Sequence, residues 1–190
     1  HEVMEVFYRE ELGLIVENVT EDGQLSDTFE GRQMNPGHSL EAMWFIMNLG
    51  VRLDDRALID KAVRIALNTA EYGWDKEYGG MLYFVDCLGK PPEAYEHDMK
   101  LWWPHNEILI ASLMAYRDTK DEKYLEWFFK TAEYCKTCFA DDVCGEWYGY
   151  LRRDGKPTEP STKGSTFKGP FHLPRMLIMT DLMLGELLAR

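Results

Sequence analysis

The sequence predicts an all-α fold of repeated helix pairs, each preceded by a short β-hairpin. Three observations carry that reading. Glycines recur ten residues apart as Gly13 and Gly23, Gly79 and Gly89, and Gly145 and Gly155, each pair starting 66 residues after the last. The stretches between them, "LIVENVTED", "GMLYFVDCL" and "EWYGYLRRD", are rich in β-formers or aromatics and end near a turn. Downstream of each, a histidine opens a helical pattern: His38, His105 and His172, spaced 67 and 67. A fixed period of this length marks stacked supersecondary units.

The first unit, about residues 12–77, reads as a hairpin near 12–25 and a mostly apolar helix opened by "NPGHSLEAMWF". The amphipathic helix "DRALIDKAVRIALNTAEY" follows. The second, about 78–144, repeats the order: a hairpin near 78–90, "WWPHNEILIAS", then "DEKYLEWFFKTAEYCKTCF". The third, about 145–190, has a hairpin near 145–157 and the helix opened by "GPFHLPRMLIM". Each histidine has a proline within two residues, suiting a first helical turn. A helix apolar nearly all round is buried, whereas an amphipathic one faces solvent on one side. The units therefore stack as inner and outer helical layers, with hairpins and inner-helix starts at one end. If the units curve into a ring, His38, His105 and His172 converge on its axis.

A lone histidine at a helix start is usually a cap or a packed ring, and three at equivalent positions could be a structural feature of the repeat. The residues beside them argue otherwise. Asn35, Glu41, Trp102, Trp103, Glu107, Lys168 and Arg175 are not the small or apolar residues that repeat positions usually keep. Polar and aromatic groups gathered in a cleft are a functional-site hypothesis.

Composition narrows the function. The 190 residues are 45% hydrophobic and 28% charged, the balance of one soluble globular domain. Thirty-three acidic against 21 basic residues give a net charge of −12, which repels a phosphate backbone and argues against nucleic acid. Apolar runs such as "ILIASLMAY" are too short to span a membrane. No basic-then-apolar leader opens the chain, so a cytoplasmic location with Cys87, Cys135, Cys138 and Cys144 as reduced thiols is expected. Cys135 and Cys138 spell C-x-x-C inside a helical pattern rather than at a strand-to-helix turn, which disfavours a redox role. No nearby fourth ligand completes a zinc site, and Asn18-Val19-Thr20 reads as a chance glycosylation acceptor.

Four stretches, "GRQMNPGHSLEAMWF", "DMKLWWPHNEILIASLMAY", "CGEWYGYLRRDGKP" and "FKGPFHLPR", resemble the N-acylglucosamine 2-epimerase family, which includes the renin-binding protein and, more distantly, cellobiose 2-epimerases. The resemblance runs along nearly the whole chain. It implies an (α/α)6 toroid of six helix hairpins, of which this chain holds not quite three as its C-terminal half. It further implies inversion at C2 of a sugar through an enolate, with N-acetylglucosamine and N-acetylmannosamine interconverted. That chemistry needs an acid and a base of near-neutral pKa on opposite faces of the sugar, as two imidazoles supply.

By the same resemblance His38 and His172 are the pair, and Glu107 is an essential carboxylate. Glu41, one helical turn after His38, would orient its ring or tune its pKa. His105 would contact the sugar or polarise the C1 oxygen, and Trp102 or Trp103 would stack on the sugar's apolar face. Arg32, Asn35, Lys168 and Arg175 complete the expected substrate-binding set. No metal or obligatory cofactor is implied, although ATP is an activator in the full-length family. Pro170 departs from the cysteine that some animal members carry in K-G-C-F-H, so no thiol role carries over. His97 has no family role and reads as a loop residue. Alternatives are an epimerase or isomerase of unacetylated sugars, of cellobiose or mannose type, and an inactive sugar-binding fragment. A three-histidine metal site is disfavoured by the lack of short-range ligand spacing. The expected partner is another copy of the chain or the N-terminal half of the barrel.

Overall fold

Sixty-six residues separate two aspartates that build the same turn. Asp75 Oδ1 accepts the backbone N–H groups of Glu77 and Tyr78 at 3.0 and 3.2 Å, and Asp141 Oδ1 accepts those of Val143 and Cys144 at 2.9 and 3.3 Å. In a computed structural model describing residues 1–189, these turns and their counterpart at Gly13 reach left-handed φ at Gly13, Gly79 and Gly145, of 67°, 74° and 71°. Glycine adopts that region without steric cost. The glycine period in the sequence is thus the period of one repeated turn.

The elements follow in order. A π-helical turn, Glu2–Phe7, leads to strands β1 (Tyr8–Arg9) and β2 (Leu14–Ile15), a short helix α1 (Phe29–Arg32) and β3 (Gln33–Met34). Helices α2 (Pro36–Leu53) and α3 (Arg56–Gly73) make the first helix pair, then come β4 (Val85–Asp86) and β5 (Lys100–Leu101). The second pair is α4 (Trp102–Thr119) and α5 (Glu122–Tyr134), which runs on into a π-helical turn at Cys135–Phe139. Strand β6 (Tyr150–Leu151) and helix α6 (His172–Leu188) complete the chain.

Capping fixes where these helices start. Asn35, Asp55 and Asp121 cap α2, α3 and α5 by accepting from His38 N, Leu58 N and Lys123 N. Pro36 occupies the first turn of α2, where its missing N–H costs nothing. Asp54 and Lys120 reverse the chain at positive φ after α2 and α4.

The layers match the sequence pattern. Every residue of α4 from Trp102 to Ala115 is buried, so it forms the middle of the inner layer, packed between α2 and α6. Helices α3 and α5 cover α2 and α4 from outside. Their buried positions, such as Ile59, Ala62, Val63 and Ala66 on α3, fall on one helical face.

The strands refine the expected hairpins. A local antiparallel hairpin forms between β1 and β2, so only its second strand falls within the 12–25 segment. At 78–90 and 145–157 the turns are closed only by the single bridges Trp74–Met81, Ala140–Trp147 and Leu151–Pro157. The true ladders join successive units, Gln33–Met34 with Val85–Asp86 and Lys100–Leu101 with Tyr150–Leu151. Each ladder places the strand leading into an inner helix beside the segment that follows the next turn.

An ion pair anchors this rim. Lys100 Nζ lies 2.9 Å from Asp75 Oδ2, both side chains being almost fully buried, and Arg153 Nε reaches the same oxygen at 2.9 Å. Burial works against ionisation of Asp75, but Arg153 and Lys100 outweigh it and hold the carboxyl far below the usual carboxylate range. Asp75 keeps Arg153 if Lys100 is lost, but losing Asp75 strands the buried ammonium of Lys100. Asp75→Asn is expected to cost about 3–5 kcal/mol, read as a fall in the urea midpoint; a change below about 1 kcal/mol would show that the pair contributes no more than a surface contact.

Candidate active site

Two histidines pack against one tryptophan. The ring of Trp103 lies 5.0 Å from that of His38 and 5.4 Å from that of His172, between centroids. The three residues line a cleft of about 520 Å³ at the inner-helix starts. Tyr83, Glu96, Met99, Leu101, Trp102, Tyr150 and Phe167 complete its walls. Local structure explains the central position of Trp103: a Cβ on Gly37 would sit 2.5 Å from its Cζ3. A side chain there would displace the indole, so the glycine before His38 is what lets the ring lie against α2.

Behind His172 stands a buried carboxylate. Glu107 has no exposed surface, and its Oε1 accepts from His172 Nδ1 at 2.7 Å and from Arg175 Nη2 at 2.6 Å. Its Oε2 accepts from Trp44 Nε1 at 2.7 Å. Arg175 also donates to Glu41 Oε1 at 2.6 Å. Burial opposes the guanidinium charge, but Glu107 and Glu41 outweigh it and raise the Arg175 pKa. With Nδ1 donating to Glu107, Nε2 is the ring nitrogen left to exchange protons. Ligand atoms of Glu41, Glu107 and His172 lie within 4.8 Å of one another, a donor set that could hold a cation. The Arg175 guanidinium already bridges the two carboxylates.

Glu41 does not orient His38. Arg175 takes it, and its charge adds only the smallest of the contributions that raise the His38 pKa. The partner of His38 is Glu17, whose two carboxylate oxygens lie 3.0 and 3.3 Å from Nδ1. Glu17 ends a β-rich stretch 21 residues before the histidine, and no helical spacing connects the two. The hydrogen bond to Glu17 is the main cause that keeps His38 protonated to higher pH than an ordinary imidazole.

His105 lies in the interior rather than on the cleft. Its Nε2 accepts from Met81 N at 2.9 Å and its Nδ1 donates to Leu101 O at 2.7 Å, while the ring stacks on Tyr134 at 5.3 Å. Burial pushes its pKa down to about 3, so the ring stays neutral. The cause is one residue of register. Helices α2 and α4 begin 66 residues apart, whereas His38 and His105 are 67 apart, so the repeat equivalent of His105 is Ser39. Ser39 Oγ donates to Ile15 O, 66 residues before Met81, at 3.4 Å. One residue is about 100° around a helix, enough to turn a ring from cleft to core.

The remaining expected residues divide. Trp102 and Trp103 line the cleft. Lys168 instead pairs with Glu146 at 2.6 Å and stands 6.0 Å from the Trp102 ring, supporting it from behind. Arg32 is buried in ion pairs with Asp86 at 2.8 Å and Asp27 at 2.6 Å, away from the cleft walls. Asn35 is the cap of α2, and Arg175 holds carboxylates rather than lining the cavity. Tyr83, Glu96, Met99, Tyr150 and Phe167 were not signalled by sequence, because ladders and loops rather than helical periodicity bring them to the cleft. His97, read as a loop residue, is half-buried and bonds to Ala94 O at 2.7 Å.

Comparisons with known proteins agree with this architecture. The family model for N-acylglucosamine 2-epimerase (GlcNAc 2-epimerase) matches residues 1–169. The N-acylglucosamine 2-epimerase of Mus musculus is 45% identical over 181 residues, 93% of this chain and 42% of its own length. The cellobiose 2-epimerase of Bacteroides fragilis is 29% identical over 153 residues, 79% of this chain and 37% of its own. The solved cellobiose 2-epimerase from Bacillus thermoamylovorans B4167 superposes with a TM-score of 0.77 at 23% identity, covering 97% of this chain and 45% of that one. The fold is therefore about half of an (α/α)6 barrel, and the chain spans less than half the length of the curated relatives it matches.

Because His105 satisfies two buried backbone groups, its replacement should act on stability. His105→Leu is close in volume but removes the bonds to Met81 N–H and Leu101 C=O, at an expected cost of about 2–4 kcal/mol, measured by urea denaturation. A neutral result would return His105 to the list of cleft residues.

Proposed function

The chain belongs to the N-acylglucosamine 2-epimerase family, and on that premise we propose that its cleft carries out two-base proton transfer at C2 of an amino sugar, interconverting N-acetylglucosamine and N-acetylmannosamine. The observation that carries the reading is that His38 and His172, from two different inner helices, line one cleft and both pack against Trp103, at 5.0 and 5.4 Å. A planar enolate exposes two faces. One imidazole removes the C2 hydrogen from one face, and the other returns a proton to the opposite face. Trp103 supplies an apolar platform for the ring carbons, and Glu107 with Arg175 fixes the His172 tautomer.

The acylated substrate is preferred because identity is 45% to a N-acylglucosamine 2-epimerase but 29% to a cellobiose 2-epimerase. The scheme uses no cofactor, and ATP, an activator in the full-length family by resemblance, has no step in it. A cytoplasmic setting suits four unbridged cysteines. No helix among the described residues is long and apolar enough to cross a membrane.

We also assign a partner to the flanks of the inner layer. Leu177, Ile178 and Leu182 on α6 and Phe45, Leu49 and Leu53 on α2 are 43–62% exposed, at the two ends of the helix row. Apolar surfaces of this kind mark association sites. Either a second copy or the rest of the barrel covers them.

In a full-length enzyme carrying this segment, His38→Asn or His172→Asn should lower C2 hydrogen exchange in deuterated water by about 10²–10⁴-fold from one epimer or both. Near-full exchange in either variant removes that histidine from the pair. The isolated chain should self-associate at micromolar concentration in light scattering, and Ile178→Asp with Leu182→Asp should reduce the association. A wild-type monomer would remove a second copy as the occupant and leave the rest of the barrel.

A further inference from the structure

We propose that Glu17 is the positioning residue of His38, its carboxylate taking the Nδ1 proton so that Nε2 is the nitrogen that exchanges with substrate. The role rests on the proton-transfer reading of the cleft, but the geometry that assigns it is independent of any activity. Both oxygens of Glu17 lie within hydrogen-bond reach of one nitrogen, at 3.0 and 3.3 Å.

The pair is held by main chain on both sides. Leu14, Ile15 and Val16 are buried, β2 pairs with β1, and Val16 N donates to Phe7 O at 3.1 Å. Ser39, the residue after His38, is bonded through its hydroxyl to Ile15 O, two residues before Glu17. One long hydrogen bond, at 3.4 Å, thus joins the strand end that launches the carboxylate to the helix turn that launches the imidazole.

The repeat supplies a second argument. Sixty-six residues after Glu17 stands Tyr83, which lines the cleft, and the same strand-to-helix link recurs there as Met81 N to His105 Nε2. The side chain two residues beyond the link lines the cleft in the second unit and, in the first, bonds to the cleft residue His38. In the first unit that side chain is a carboxylate.

Other charged groups near His38 are engaged or more remote. Glu41, on the same helix, is held by Arg175. From α4, His38 meets the uncharged ring of Trp103, which His172, on α6, also contacts. Glu96, Tyr83 and Tyr150 share the cleft without a hydrogen bond to His38 among the described residues. The raised pKa of His38, caused first by Glu17 and last by Glu41, agrees with this order.

The test is a histidine titration on the chain itself, by long-range nitrogen–proton NMR, with the His38 signal assigned by its loss in His38→Asn. In Glu17→Gln the His38 midpoint should move to lower pH, because the charge that favours the imidazolium is gone, and the neutral ring should lose its Nδ1–H preference. Glu41→Gln should move the midpoint less. Unchanged His172 signals in Glu17→Gln verify that the fold is intact. In the full-length enzyme Glu17→Gln should lower kcat by about tenfold or more with KM little changed, and Glu17→Asp should restore part of it. An unmoved His38 midpoint in Glu17→Gln, or a larger movement in Glu41→Gln, overturns the assignment whatever the enzyme's activity. A full midpoint effect with no loss of exchange activity would overturn the positioning role of Glu17, whereas His38→Asn reads the role of His38 itself.

Discussion

A single buried carboxylate holds three inner helices to one another. Glu107 projects from α4, and its donors come from Trp44 on α2 and from Arg175 and His172 on α6. Taking a carboxylate out of water costs several kcal/mol unless charge and hydrogen bonds compensate it. All three donors must therefore arrive together. That requirement sets how far the start of α6 lies from α4, and hence where His172 stands relative to Trp103. Packing alone would tolerate a small slide of one apolar helix over another; the buried charge does not.

The two imidazoles are supported by unlike means. His172 rests against a carboxylate whose charge is shared with a guanidinium and sealed from solvent. His38 is half-exposed and meets a carboxylate that has no cationic partner among the described residues. The proposed transfer needs one imidazole neutral while the other is protonated, and the two carboxylates meet their rings in unlike surroundings.

Much of the fold was legible because the turn chemistry is periodic. Gly13, Gly79 and Gly145 occupy one left-handed position, and α2 and α4 begin at the same 66-residue interval. The histidines were harder to read. A 67-residue spacing looks like the same ruler, yet the extra residue carried His105 into the core, where Met81 and Leu101 claim both of its nitrogens. Arg32 and Lys168 suggested substrate contacts because their partners Asp86 and Glu146 lie 54 and 22 residues away, beyond any local pattern. Glu17 was invisible for a related reason: a strand end and a helix start meet only once the ladders and the Ser39 link have formed.

The cross-unit ladders bear on how such a barrel could be recombined. Since β3 pairs with β4 and β5 with β6, the main chain of one unit completes the rim of its neighbour. A chimera cut at the second or third glycine turn, where the sequence repeat begins anew, would split a ladder and mix unmatched strand edges at the mouth of the cleft. A cut in the loop between β4 and β5 leaves both ladders with their native partners, because β3 and β4 both lie before it and β5 and β6 both lie after it. The exchangeable module of this architecture is offset from the repeat that its sequence displays, running from the strand that leads into an inner helix, through both helices of the pair, to the strand beyond the next glycine turn.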